Sequence, residues 1–176
     1  MIFTETPLTG AFTIDLERIE DDRGFFARAW AQDEFVAHGL NPTIAQTNMS
    51  KTFAAGTFRG FHWQDPPFGE AKTVRCIAGS VFNVIIDMRP DSSTYTDWFG
   101  VELSADNGRA LYIPEQLANG FLITSNDTVL LYNVTRAFEP GNERGVRHDD
   151  PTVGVEWPRP IEHVSAKDAA WADLNV

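Results

Sequence analysis

The chain has 176 residues, a length that fits one domain able to bury its own core without metal or disulfide. With 43% apolar and 22% charged residues it is composed like a soluble globular protein, with disorder expected only at the ends. A formal charge of −11 excludes the broad basic face that nonspecific binding to nucleic acid or anionic lipid requires, although a local Arg and Lys cluster can still hold an anionic small molecule.

In chain order, "MIFTETPLTG" has neither a basic leader nor a long apolar core, so no signal peptide or membrane span is expected and a cytoplasmic location is the default. "GAFTIDLERIED" alternates and ends at "DDRG". "WAQDEFVAHG" carries helical signal, with Phe35 and Val36 near a terminating Gly39. "KTVRCIAGSVFNVIIDMRPDSS" has two strand-like runs around "AGS", and Val81, Asn83, Ile85 and Asp87 alternate with Phe82, Val84, Ile86 and Met88. The single cysteine, Cys76, lies in the first run and reads as a packed core thiol. "DWFGVELSADNGRALYIPEQ" adds two strands across the turn segment "SADNG", and "ANGFLITSNDTVLLYNVT" repeats the hairpin across "SND". "SAKDAAWADL" gives a second, weaker helical signal. No repeat, low-complexity tract or linker interrupts the chain. The pattern predicts one all-β domain over residues 1–176, a jelly-roll (cupin-like) β-barrel of antiparallel hairpins with short peripheral helices.

In barrels of this kind polar residues at inward positions are the candidates for a site. "RGFHWQ" sets His62 between an arginine and aromatic residues. A metal ligand there would need companions, typically a second His two residues on, but that position is Gln64 and the other histidines, His38, His148 and His163, fall in expected helix or loop. A structural imidazole and a general base remain. Lys72 and Tyr132 sit in neighbouring strand-like runs, where a solvated edge lysine and a packed tyrosine are the ordinary readings. Spacing alone does not decide between them.

The stretches "DDRGFFARAW", "QTNMSKT", "GTFRGFHWQ", "EAKTVRCIAGSVFNVIIDMRP", "STYTDWFGVELSADN", "LYIPEQLANGF", "LYNVT", "NERGVRHDDPTVGVEWP" and "VSAKDAAW", in this order and spacing, resemble the dTDP-4-dehydrorhamnose 3,5-epimerase family from about Phe3 to Leu174. The resemblance implies a cofactor-free and metal-free epimerase of a nucleoside diphosphate 4-keto-6-deoxy sugar, forming a homodimer to which the strand in "MIFTETPL" reaches across. It implies His62 as base, Asp168 as the carboxylate orienting it, Tyr132 as proton donor on the opposite face and Lys72 as the cation at the enolate oxygen. Arg59, Arg23 and Lys167 are implied at the pyrophosphate, Phe26 and Phe138 around the base and sugar, Gln46 and Asn48 beside the nucleotide, and Glu143 as a further substrate contact.

Three positions depart from the family pattern. Asn119 in "ANGF" and Asn83 in "FNV" replace a His and an Asp that the family pairs near the substrate, and an amide cannot carry a proton near neutral pH. Inversion at carbon 3, carbon 5 or both is implied; the sharper reading of the two amides is a reaction narrowed to one carbon, or a substrate in which one centre is never presented, and the plainer one is neutral drift at a packed polar pair. Arg28 replaces a common glutamate, either facing solvent or altering recognition of the nucleotide base. The sequence leaves the base, the sugar and the inverted carbon open. An isomerase without net inversion, or a catalytically silent binding protein using the same pocket, is the alternative.

Overall fold

The computed structural model describes residues 1–174. Its strands, in chain order, are β1 (Ile2–Glu5), β2 (Phe12–Asp15), β3 (Ile19–Asp21), β4 (Gly24–Phe26), β5 (Gln46–Thr52), β6 (Thr57–Gln64), β7 (Lys72–Ala78), β8 (Ser80–Asp87), β9 (Trp98–Ser104), β10 (Ala110–Ile113), β11 (Leu117–Ile123), β12 (Thr128–Val134), β13 (Glu143–Gly145) and β14 (His163–Val164). Helices are limited to α1 (Gln32–Ala37) and α2 (Ala166–Ala169). One sheet runs β1-β2-β10-β7-β12-β5 and the other β13-β6-β11-β8-β9, with β14 parallel to β6 and β3-β4 a separate hairpin.

The expected strands form, but three expected hairpins do not. β7 and β8, β9 and β10, and β11 and β12 are consecutive in sequence yet belong to opposite sheets. The turn segments "AGS", "SADNG" and "SND" are therefore corners between layers. Gly79 shows why: its φ of +73° favours glycine, and a methyl there would press into Ser125 and Thr128, where the β11–β12 corner enters β12 beside β7. Such a corner looks like a hairpin turn in sequence, because partner choice is set by packing and not by turn chemistry.

Between the sheets lies a core of Val74, Cys76, Leu111 and Leu130 from one and Val81, Ile85, Leu103 and Ile123 from the other. Each such side chain contributes roughly 1.5–3 kcal/mol by leaving water. The alternation in β8 divides its residues: Val81 and Ile85 face this core, while Val84 and Ile86 face a second cluster on the outside. That outer face is covered by the chain after β13, where Trp157 packs against Phe58 and Phe61. α1 closes the outer face of the other sheet by burying Phe35 against Tyr112 and Ile14. No helix of the described residues is long and apolar enough to cross a membrane.

Candidate active site

The period of two in the strands lines up the site. On β12, Tyr132 stands opposite Val74 of β7 and Asn48 of β5, and Val134 opposite Lys72 and Gln46. These residues share the inner face of one sheet. The inner face of the other sheet supplies His62 from β6 and Asn119 and Phe121 from β11, with Asn119 directly across from His62. α2 caps the opening. The resulting cavity, about 450 Å³, is lined by Arg59, His62, Lys72, Asn119, Tyr132 and Lys167, among others. A second lobe of about 310 Å³ shares His62, Lys72 and Tyr132 and adds Gln46, Asn48, Glu70, Phe138 and Glu143. The three shared side chains stand where the lobes meet.

His62 is half-buried and its Nε2 lies 2.7 Å from Asp168 Oδ1. Asp168 is itself fixed: Ser165 at the N-cap of α2 accepts its backbone N–H at 3.0 Å, and the Gly60 N–H reaches its Oδ2 at 3.5 Å. Burial alone would raise the Asp168 carboxyl, but the hydrogen bond and positive charge of His62 outweigh it, with Ser165 and Gly60 assisting, and the group sits below its ordinary value. With Nε2 donating to this carboxylate, Nδ1 is left to accept a proton. Glu143 Oε1 is 3.8 Å from that nitrogen, beyond hydrogen-bond reach, while its Oε2 pairs with Lys167.

Lys72 Nζ is held 3.0 Å from Glu70 Oε1, and both side chains are largely buried. Glu70 in turn accepts from Gln64 Nε2. Gln64 also donates to the Phe68 carbonyl at 3.0 Å and accepts the Glu139 N–H at 2.7 Å, so it clamps the loops beside the second lobe. Sequence reasoning missed Glu70 and this role of Gln64. The signal was slight: an acidic residue two positions before a strand lysine is ordinary on a surface. Among the described residues no group of three or more His, Cys, Asp or Glu side chains is arranged to hold a metal. His163, expected in a loop, lies in the two-residue β14.

Four predicted site residues lie outside the cavity. Arg23, Phe26 and Arg28 sit on or just after the β3-β4 hairpin, exposed and lining neither lobe; Arg23 pairs with Asp21 at 2.5 Å and Arg28 with Glu34 at 2.9 Å. Asn83 is wholly buried on β8 beside Phe121, its register partner on β11; it lines neither lobe, and neither atom of its amide has a hydrogen-bond partner among the described residues. Asn119 is its diagonal neighbour across β8 and β11, yet Asn119 donates instead to the Val84 carbonyl, at 3.4 Å. Of the two amides, Asn119 lines the cavity and Asn83 does not.

The family model for dTDP-4-dehydrorhamnose 3,5-epimerase matches residues 5–175. The chain is 38% identical over 177 residues to the dTDP-4-dehydrorhamnose 3,5-epimerase of Methanothermobacter thermautotrophicus, across 98% of this chain and 94% of the relative. It is 35% identical over 162 residues to the dTDP-4-dehydrorhamnose 3-epimerase of Streptomyces niveus, across 92% of this chain and 78% of the relative. A crystal structure of the Bacillus anthracis 3,5-epimerase with TDP and pyrophosphate bound superposes with a TM-score of 0.94 at 32% identity, covering 98% of this chain and 99% of that one.

Proposed function

This chain belongs to the dTDP-4-dehydrorhamnose 3,5-epimerase family and is an epimerase of a nucleotide keto-deoxy sugar, and we propose that it inverts its substrate with His62 as base and Tyr132 as acid. The observation that carries this reading is the opposition of His62, on one sheet, to Lys72 and Tyr132 on the other, across a single cavity. The ketone at carbon 4 acidifies the hydrogens on carbons 3 and 5. His62 Nδ1 takes one of them, its Nε2–H stays on Asp168, and the carboxylate balances the imidazolium that forms. Electrons move into the ketone and leave negative charge on its oxygen, where the Lys72 ammonium is placed to meet it. Tyr132 returns a proton to the other face, and the centre is inverted.

The rest of the substrate divides between the lobes. Arg59 and Lys167 suit a pyrophosphate, with Lys167 exchanging Glu143 for a phosphate oxygen, and Phe138, Gln46 and Asn48 suit a nucleoside. Arg23, Phe26 and Arg28 reach a substrate only if a second copy brings them, so the reading includes a homodimer in which each β3-β4 hairpin covers its partner's nucleotide. The exposure of Ile19 and Phe26, both 71%, on that hairpin supports it.

Asn119 faces the cavity with an amide, which donates a hydrogen bond but carries no proton, and this favours inversion at one carbon. Incubation with a dTDP-4-keto-6-deoxyhexose in deuterated water, followed by NMR, tests the function. Label at one carbon with inverted configuration is expected; label at both makes the enzyme a full 3,5-epimerase, and label at neither defeats the reading. Asn119→His combined with Asn83→Asp should extend labelling to the second carbon, and an unchanged product excludes the amides as the cause of narrowing.

A further inference from the structure

We infer that Trp171 is a positioning residue that locks Asp168 against His62, and that position 145 is glycine to seat its ring. The inference rests on the reading of His62 as base. Asp168 is carried by a helix of four residues outside both sheets, too short to hold its place by its own hydrogen bonds. The Ser165 and Gly60 hydrogen bonds hold it locally, and the segment after the helix must be seated as well to keep the 2.7 Å contact.

Gly145 of β13 pairs directly with His62 of β6, and residues in register project to the same side, so a side chain at 145 would stand beside the imidazole. Trp171 takes that space. A Cβ on Gly145 would fall inside the envelope of the indole, and its three nearest atoms would all belong to the ring. The backbone does not demand glycine here, since Gly145 is absent from the positive-φ positions. The ring alone does.

Trp171 therefore meets the imidazole end of the dyad with its ring and is joined to the carboxylate end by the chain. Its ring meets the imidazole edge to face, with centroids 6.4 Å apart and planes at 64°. It also follows Asp168 by three residues, just past the end of α2 at Ala169, so a seated ring fixes where the helix ends. The segment is anchored again just beyond: the Leu174 N–H donates to Asp150 Oδ2 at 2.7 Å, and Arg147 pairs with Asp173 at 3.3 Å. The indole N–H is buried and has no partner among the described residues, so packing against Gly145, rather than a hydrogen bond, decides where the ring lies.

Trp171→Ala and Gly145→Ala test the lock from its two sides, the second adding one methyl and deleting nothing. Each is expected to lower kcat about 10- to 100-fold with little change in KM, the loss that follows when a catalytic group is misplaced by about an ångström. Trp171→Phe, which keeps a ring over Gly145, should recover most of it. Asp168→Asn, damaging in the native background, should add little to either variant, because the contact it removes is already gone. Independently of turnover, the downfield proton resonance of the His62 N–H, identified by its loss in Asp168→Asn, should vanish in both alanine variants and persist in Trp171→Phe. Retention of that resonance in Gly145→Ala and Trp171→Ala, or full additivity with Asp168→Asn, overturns the inference. If the resonance follows the pattern while the native enzyme turns over no keto sugar, the lock stands and the epimerase reading falls.

Discussion

Lys72 meets the reaction already paired, its ammonium 3.0 Å from a Glu70 carboxylate that Gln64 holds in turn. The pair keeps the cation in place beside Val74 and Val134 until, on the proposed mechanism, an oxygen of the substrate competes for it. Lys72→Met keeps the length of the side chain and removes the charge. It should lower kcat on the order of 10²–10³-fold while dTDP binding, measured by calorimetry, stays within a few fold; an equal loss in both would make Lys72 a binding residue. At this scale the sequence was informative where a residue type is rare in its setting. His62, Tyr132, Lys72 and Asp168 were legible through the family resemblance, and all four meet at one cavity. The full burial of Asn83 was not legible, because nothing in "FNV" tells how deep in the sheet that amide lies. Glu70 was missed because its partners, Gln64 and Lys72, are joined to it only by the fold.

At the scale of elements, the jelly roll rests on corners between the sheets and on connections within them, among them the one that joins the paired strands β8 and β9. That connection turns on Asp87, which is wholly buried and accepts hydrogen bonds from Arg89, Ser92 and Thr94. Burial would raise this carboxyl, but these donors overcome it and hold it far below its ordinary value of 3.8. The folded pKa is depressed, so the stabilisation is fully present above about pH 3.8 and is lost as pH falls from there through the lower folded value. Asp87→Asn should destabilise the fold by about 3 kcal/mol near neutral pH, by leaving Arg89 without its partner. In a denaturant series the difference from the native chain should shrink as pH falls below about 3.8; a constant difference would assign the effect to packing. The alternation of β8 and the turn segment before β12 made these strands legible in sequence, and the burial of both faces of β8 agrees with its nearly unbroken apolar run. Their partners were not legible, since a glycine corner such as Gly79 and a hairpin turn use the same residues.

For the whole molecule, the cavity contains the proton-handling groups but not Arg23, Phe26 or Arg28. Family resemblance implies Arg23 and Phe26 at the substrate, and on the proposed homodimer a second copy brings them there. Mixing inactive His62→Ala copies with copies carrying Arg23→Ala and Phe26→Ala should therefore produce mixed dimers with one intact site, and activity should rise toward a quarter of the native value. Absence of complementation in verified mixed dimers would place a complete site within each chain. Mass in solution gives the companion measurement, twice the chain mass on this reading.

The central claim is that His62 and Tyr132 act from opposite faces of the sugar, and Tyr132→Phe in deuterated water tests it most directly. Removal of the phenol should leave proton abstraction intact while cutting inversion about 10²- to 10⁴-fold, so deuterium enters the substrate with configuration retained as His62 returns what it took. Inversion that continues unabated in that variant, or exchange that disappears along with it, would contradict the two-sided mechanism.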